Sequence, residues 1–311
     1  MNILVVGEES AGIRTLQALA KTDHRIVAVM ASHDTTMRGS ATMWQVAQHL
    51  GLPIWDAKLV KDASFGERIR ESAVDILLNV HSLFIINDEV LSAPRIGSFN
   101  LHPGPLPRYA GLNAPSWAIF RGETSHGVTV HKMERGIDTG AIVYQSRFDI
   151  GENDTALTVS TRCIKDGVAT MLRLVETASA DPSAIPLVPQ DLSQREYFKP
   201  GPPTIDGLFR SLPARQVVNF VRACDYHPLP SPWGSPRVKL GDRTMSVIKA
   251  TLTGTRADSS PGAVGRVDGA GAQVACSDEW VTVAKVIVEG RYRDAADVLR
   301  TGDQLEDIGA G

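Results

Sequence analysis

The stretch Ser98–Gly140, SFNLHPGPLPRYAGLNAPSWAIFRGETSHGVTVHKMERGIDTG, decides how the rest of the chain is read. Its start completes Gly97–His102, a short run that reads as a strand ending in Asn-x-His. Strand side chains alternate between faces, so Asn100 and His102 point the same way and Leu101 turns into the core. A loop, a helix and a second strand, HGVTVHKME, then lead into Gly136-Ile137-Asp138-Thr139-Gly140. An amide that can donate, an imidazole that titrates near neutrality and a carboxylate on a glycine-flanked turn form a set able to handle protons.

Within the loop, Pro103 and Pro107 limit backbone freedom, and Gly104 and Gly111 permit turns that a side chain would forbid. A rigid loop beside a catalytic pair is a form of preorganisation. Arg108 and Tyr109 either touch a ligand or anchor this loop. Asn113 falls at the expected N-cap of the helix that opens with Ala114-Pro115. His126 and His131 are five apart on a strand, hence on opposite faces, and no H-x-H or H-E-x-x-H pattern occurs. No metal is expected. Asp138 alone would be an ordinary Asx-type turn; with Asn100 and His102 upstream, a functional role is expected.

Working back toward the start, Asn2–Gly7, Arg25–Ser32, the region of Ile54, Asp75–Val80 and Gly97–His102 read as strands. Helical patterns over Ser10–Lys21, Met37–Leu50 and Phe65–Ala73 separate them. That alternation predicts a doubly wound α/β domain with a mainly parallel sheet. Ligands of such sheets sit beyond the carboxyl ends of the strands, where Asn100 and His102 fall. The first turn, Gly7-Glu8-Glu9-Ser10-Ala11-Gly12, has neither G-x-G-x-x-G spacing nor a P-loop ending, and its two acids would repel a phosphate. The segment Asn79–Ile86, NVHSLFII, continues a strand into bulky apolar residues; its His81 reads as a satisfied loop histidine.

Downstream, Gly140–Ile150 resumes a strand, and Asn153-Asp154-Thr155 caps a long helix reaching about Ala178 whose apolar side covers the sheet. The stretch from Ala178 to Pro203 is rich in Pro and Ser and reads as a linker. Beyond it come one amphipathic helix, Pro213–Cys224, and short β-like pieces at Arg237–Leu240, Met245–Leu252, Val264–Val267, Gln273–Cys276 and Trp280–Val288, spaced as in a small barrel. The expected division is 1–190, a linker over 191–203, and 204–311. In this last part thirteen Lys and Arg residues meet thirteen Asp and Glu residues. Nucleic acid normally wants a basic surface, so a nucleic-acid grip is disfavoured.

The bulk properties fit an ordinary globular protein: 311 residues, 43% hydrophobic, 22% charged and a formal net charge of −3. No apolar run approaches membrane-spanning length, and Met1-Asn2-Ile3 enters a strand directly. Cys163, Cys224 and Cys276 are far apart and form no metal or CxxC pattern, which suits buried thiols in a reducing compartment and a cytoplasmic location.

The Asn-x-His pair, the LPRYxG loop and the later G-x-D-T-G together resemble the 10-formyltetrahydrofolate-dependent formyltransferases, over nearly the whole chain. The loop departs from the commoner family form, H-[GP]-S-L-L-P, at Gly104 and Pro105. The resemblance implies the formyltransferase α/β fold with an oligonucleotide-binding-like β-barrel behind it, and Asn100, His102 and Asp138 as the catalytic set. It implies 10-formyltetrahydrofolate as donor, its pterin beside Phe84, Ile85, Ile86, Gly136 and Ile137, and an acceptor beside Ser10, Gly104, Arg108 and Tyr109. The acceptor expected is a small-molecule amine, either an amino acid or a nucleotide-linked amino sugar. Methionyl-tRNA is the alternative, and a folate-binding or carrier-docking module without catalysis is the alternative of another class.

Overall fold

A computed structural model describes residues 1–33, 41–82 and 84–308. In chain order the first elements are β1 (Asn2–Gly7), α1 (Glu9–Leu19), β2 (Arg25–Ala31), α2 (Met43–His49), β3 (Ile54–Asp56), α3 (Phe65–Glu71), β4 (Ile76–Val80), α4 (Asp88–Leu91) and β5 (Gly97–His102). Next come β6 (Ala110–Gly111), α5 (Ala114–Phe120), β7 (Ser125–Lys132), β8 (Ile142–Asp149), α6 (Ala156–Ala180) and β9 (Tyr197–Phe198). The remainder holds α7 (Leu208–Ser211), α8 (Ala214–Cys224), β10 (Arg237–Leu240), β11 (Arg243–Arg256), β12 (Val264–Asp268), β13 (Gly271–Ala275) and β14 (Glu279–Val288). It closes with β15 (Arg291–Asp294), α9 (Ala295–Val298) and β16 (Glu306–Asp307). The helix expected over Met37–Leu50 is observed as α2, and positions 37–40 lie outside the described residues. A capping box starts it: Thr42 Oγ1 accepts from Gln45 N, and Gln45 Oε1 accepts from Thr42 N.

The chain forms two compact units. The first is Met1–Gly111, His126–Phe148 and Ser160–Phe198; the second is Leu112–Ser125, Asp149–Val159 and Lys199–Gly311. The first is built on a sheet of order β3-β2-β1-β4-β5-β7-β8, in which β1, β2, β3, β4 and β5 pair in parallel and β7 runs antiparallel to β5. Both faces are covered. Ile3 and Val5 of β1 enter one core with Leu16 and Leu19 of α1 and Met171, Leu174 and Val175 of α6. Leu4 and Val6 enter a second core with Phe65 and Ile69 of α3 and Val90 and Leu91 of α4. Burial on both sides is why NILVVG is apolar without alternation.

The strand order reverses between β1 and β4, so the crevice beyond the carboxyl ends of β1, β4 and β5 is the topological switch point of the sheet. Register carries polar side chains to one face there. Asn79 lies opposite Asn100, Asn100 opposite His131, and His102 opposite Thr129. The stretch 191–203, expected as a linker, contains β9, which pairs in parallel with β6 through Ala110–Tyr197 and Gly111–Phe198.

The second unit is an antiparallel sheet of order β12-β13-β14-β11-β10-β16, with β15 beside β14. The bonds Val264 N to Asp303 O and Leu305 N to Gly262 O, each 2.8 Å, draw the segment before β16 against the start of β12 and give the sheet a barrel-like curl. The Asp307 carboxylate accepts from Leu208, Phe209 and Arg210 N, satisfying the open amides at the start of α7. Neither β15 nor β16 was expected, since both are short and polar. Asn113 occupies the N-cap of α5 as expected, but with φ +57° and no capping bond from its side chain. Here the turn geometry, rather than the carboxamide, starts the helix.

Candidate active site

Asn100, His102 and Asp138 converge on the polar face of the first unit's sheet. His102 Nδ1 lies 3.5 Å from Asp138 Oδ2, and the two residues are 3% and 9% exposed. The other ring nitrogen is committed, since His102 Nε2–H donates to the Tyr109 carbonyl at 2.7 Å. That bond assigns the neutral tautomer and leaves Nδ1 as the basic atom. Burial pushes the His102 pKa below its ordinary 6.5; Asp138 and the Tyr109 carbonyl oppose that push, while His131 and His81 add to it. A neutral imidazole with its lone pair toward a carboxylate is a proton acceptor whose charged form has a partner waiting.

Burial alone would raise the Asp138 pKa. His102, His131 and the Gly111 N–H outweigh it and hold the carboxyl well below the usual carboxylate range. Its two oxygens are divided: Oδ2 accepts from Gly111 N at 2.8 Å, and Oδ1 lies 3.4 Å from His131 Nε2. Gly111 sits at φ +93°, and a Cβ there would strike the Phe198 carbonyl, so only glycine brings this amide to the carboxylate.

His131 is a member of the cluster that the sequence reading passed over. Its Nδ1 lies 2.8 Å from the Lys132 carbonyl, an acceptor that places a ring hydrogen there, and its Nε2 lies 3.1 Å from Asn100 Nδ2. Asn79 was passed over too: its Nδ2 donates to Asn100 Oδ1 at 2.9 Å. The signal for both was strand register, which periodicity in a single strand does not reveal. His126, as expected, faces elsewhere, with Nε2 at 3.0 Å from the Pro103 carbonyl and its ring edge-on to Tyr109.

The turn that carries Asp138, which has φ +56°, is clamped from a stretch read as linker and its approach. Gln190 Nε2 donates to the carbonyls of Asp138 (3.0 Å) and Gly140 (2.6 Å), and Arg195 donates to the Ile137 carbonyl. Gly140 is required here as well, because a Cβ would collide with the Lys132 carbonyl.

Of the residues expected at the donor, Phe84, Ile85 and Ile86 line a cavity of about 510 Å³ together with Lys61 and Asn87. Position 83 of that segment lies outside the described residues. Ile85 is 76% exposed, whereas Ile86 is 5% exposed and belongs to the second core. Gly136 and Ile137 are exposed on the turn before Asp138. Of those expected at the acceptor, Ser10 is exposed in the first turn of α1, and Arg108 is exposed with Nε 3.6 Å from Glu196. Tyr109 and Gly104 turn inward. The Tyr109 ring is 2% exposed and stacks on Phe198, and the Gly104 carbonyl accepts from Thr129 Oγ1. The Tyr109 ring thus packs inward, and its carbonyl holds His102 Nε2.

Among the described residues no group of three or more His, Cys, Asp or Glu side chains could hold a metal ion, and no helix is long and apolar enough to cross a membrane. All three cysteines are free and buried; burial pushes the Cys224 and Cys276 thiols up to about 12.

The chain thus holds an α/β sheet with an amide, an imidazole and a carboxylate on its polar face, and a curled antiparallel unit. Comparison with known proteins makes this specific. Residues 1–175 match the family described as formyl transferase, and residues 209–301 match the formyl transferase C-terminal domain. The chain belongs to the formyl transferase family, enzymes that use formyl-tetrahydrofolate. It is similar to the methionyl-tRNA formyltransferase of Anaeromyxobacter dehalogenans, 29% identical over 315 residues and 97% of each chain. Its fold is similar to that of an N-formyltransferase from Helicobacter canadensis solved with folinic acid and dTDP-3-aminofucose (TM-score 0.66, 17% identity, 90% of this chain and 98% of that one). The sugar 3N-formyltransferase WlaRD is alike to the same degree, with TM-score 0.65 and 18% identity over 93% of this chain and 97% of its own.

Proposed function

We propose that this chain moves a formyl group from 10-formyltetrahydrofolate to an amine of a small metabolite, an amino acid or a nucleotide-linked amino sugar. The observation that carries the reading is the His102 environment: Nε2 committed to Tyr109, Nδ1 basic, and Asp138 ionised beside it. An amine adding to the formyl carbon forms a C–N bond and sends the carbonyl π pair onto oxygen. Asn100 Nδ2 carries two hydrogens; one goes to His131, and the second donates to that oxyanion. His102 Nδ1 takes the proton released by the attacking nitrogen, and Asp138 stabilises the resulting imidazolium. As the oxyanion collapses, His102 returns the proton to the departing N10, giving tetrahydrofolate and the N-formyl product. Phe84, Ile85, Gly136 and Ile137 supply the surface on which a pterin would lie, and Ile86 packs in the core behind it.

The acceptor class follows from charge. At the switch point Glu9 faces His81 at 3.5 Å, and Glu8 is 2% exposed with Oε1 accepting from Ser32 N. Acids at this turn favour an acceptor without a phosphate there. The thirteen-to-thirteen balance of the C-terminal part supplies no basic field for a tRNA. Full-length likeness to methionyl-tRNA formyltransferases favours the second reading, formylation of charged initiator tRNA by the same three residues. Incubation with formyl donor and a panel of amino acids, dTDP-amino sugars and methionyl-tRNA, read by mass spectrometry, decides between them. Formylation of tRNA alone, with steeply salt-dependent binding, overturns the small-molecule reading. Absence of single-turnover formyl release with every acceptor supports the non-catalytic module instead.

A further inference from the structure

Asn79 is the one polar side chain in β4, whose sequence Ile-Leu-Leu-Asn-Val is buried from end to end. A carboxamide in such a strand is costly unless its hydrogen bonds are met, and a β-branched apolar residue would suit the position better. Only half of the Asn79 amide is met. Nδ2 donates to Asn100 Oδ1 at 2.9 Å, and Oδ1 is buried with no partner among the described residues. The group therefore sits at a net cost to folding, and its one bond goes to the side chain proposed to hold the oxyanion.

The row has a direction. His131 Nδ1 faces the Lys132 carbonyl, an acceptor, so in the neutral ring Nδ1 carries the hydrogen and Nε2 is bare. Nε2 therefore takes a hydrogen from Asn100 Nδ2, which turns Asn100 Oδ1 toward β4. Asn79 is the donor that meets it. Rotated by half a turn, the Asn100 amide would set its oxygen against the bare His131 Nε2 and its own N–H against the Asn79 donor, and would turn a lone pair where an N–H is needed. Fixed from both ends, it presents N–H.

We infer that Asn79 is a positioning residue for formyl transfer, locking the sense of the Asn100 carboxamide through the Asn79–Asn100–His131 row. The inference rests on the reading of Asn100 as oxyanion donor, so Asn100→Ala is measured alongside. The experiment is steady-state kinetics with the identified acceptor on Asn79→Val, Asn79→Ala and Asn79→Asp, each first shown to be folded by circular dichroism and thermal melting. Asn79→Val is expected to stay folded, to lose turnover by about tenfold, and to keep the KM for the formyl donor within about twofold. Asn79→Asp is isosteric but, when ionised, can only accept. It should pull the Asn100 amide over and lose more turnover than Asn79→Val. Its rate relative to wild type should recover as pH falls, because a protonated carboxyl donates again. A merely structural role would give no such recovery. Folded Asn79→Val and Asn79→Asp proteins turning over at the wild-type rate, with Asn100→Ala impaired, would overturn the inference and leave the proposed function standing. If Asn100→Ala also turns over normally, the reading of Asn100 fails and the inference fails with it.

Discussion

Strands β4, β5 and β7 present two faces from one backbone. Leu78, Val80, Phe99, Leu101, Val128 and Val130 line one of them; Asn79, Asn100, His102, Thr129 and His131 line the other. Burial does not separate the faces, since His102 and His131 are each 3% exposed and Phe99 and Leu101 each 2%. Direction does. On the apolar face any well-packed side chain of the right volume serves, because dispersion and the hydrophobic effect carry no orientation. On the polar face contacts are directional: Thr129 Oγ1 donates to Gly104 O and accepts from Leu106 N, and Asp138 sets one oxygen toward each of two histidines. Chemistry is thus concentrated in the directional face and folding energy in the other.

The largest effects on turnover should come from removing His102 or Asn100. Loss of one oxyanion donor typically costs on the order of a hundred-fold. Asn100→Ala should show at least that, and His102→Ala should match or exceed it because the proton acceptor goes. The two act as a unit, so the double variant should be little worse than the worse single one. Single-turnover rates on proteins of confirmed fold check this; additive losses would show the two residues acting separately.

A second effect is graded by pH. His102 works as a base only when neutral, and its pKa lies below 6.5 through burial. kcat/KM should hold across neutrality and fall about tenfold per pH unit once pH drops beneath that lowered value. The stability sign follows from proton binding. Between the folded value and 6.5 the unfolded chain takes a proton that the folded chain refuses, so stability falls as pH falls through that window. Asp138 acts lower down: its depressed pKa contributes stability above 3.8 that is lost as pH falls toward the folded value. Urea titrations of wild type and His102→Ala at about pH 8 and about pH 5 should show the wild-type loss shrinking in the variant.

Much of this was legible beforehand. β5 appears over Gly97–His102 as expected, because its apolar alternation and terminal Asn-x-His have no competing helical reading. The alternation of elements and the curled second unit follow from local patterns as well. Harder to see were contacts made across the chain. His131 joins the site through antiparallel register with Asn100, and Gln190 joins it through backbone carbonyls of the Asp138 turn. The partner of His102 Nε2 is a main-chain oxygen, which no side-chain pattern announces. Pro- and Ser-rich composition suggested a linker because it marks turns, and the turns here, such as those capped by Asp181 and Asp191, fold back onto the first unit.

A smaller effect separates two neighbours at the cavity. Ile85 projects into solvent and Ile86 packs in the second core. Ile85→Asp should weaken folinic acid binding by about tenfold, with turnover at saturating donor and thermal stability unchanged, since roughly 1.4 kcal/mol of apolar contact is at stake. Ile86→Asp should instead unfold or strongly destabilise the domain, because it buries a charge without a partner. Calorimetry with folinic acid and melting curves separate the two; equal loss of stability in both would place Ile85 in the core rather than at the ligand.

The smallest effect on turnover should come from the apolar face, one residue away from Asn79. Leu78 is fully buried, lies opposite Phe99 in register and belongs to the first core. Leu78→Ala removes dispersion contacts and leaves a cavity, a change that costs about 2–5 kcal/mol in well-packed cores. None of the bonds that orient Asn100, His102 or Asp138 passes through its side chain. Urea unfolding should therefore show a lower midpoint at unchanged slope, while turnover per folded molecule stays within about threefold of wild type. Asn79→Val, at the adjacent position but on the opposite face, should do the reverse. If Leu78→Ala slows turnover in proportion to its loss of stability, the two faces are one mechanical unit. The site would then depend on core packing as much as on its hydrogen bonds.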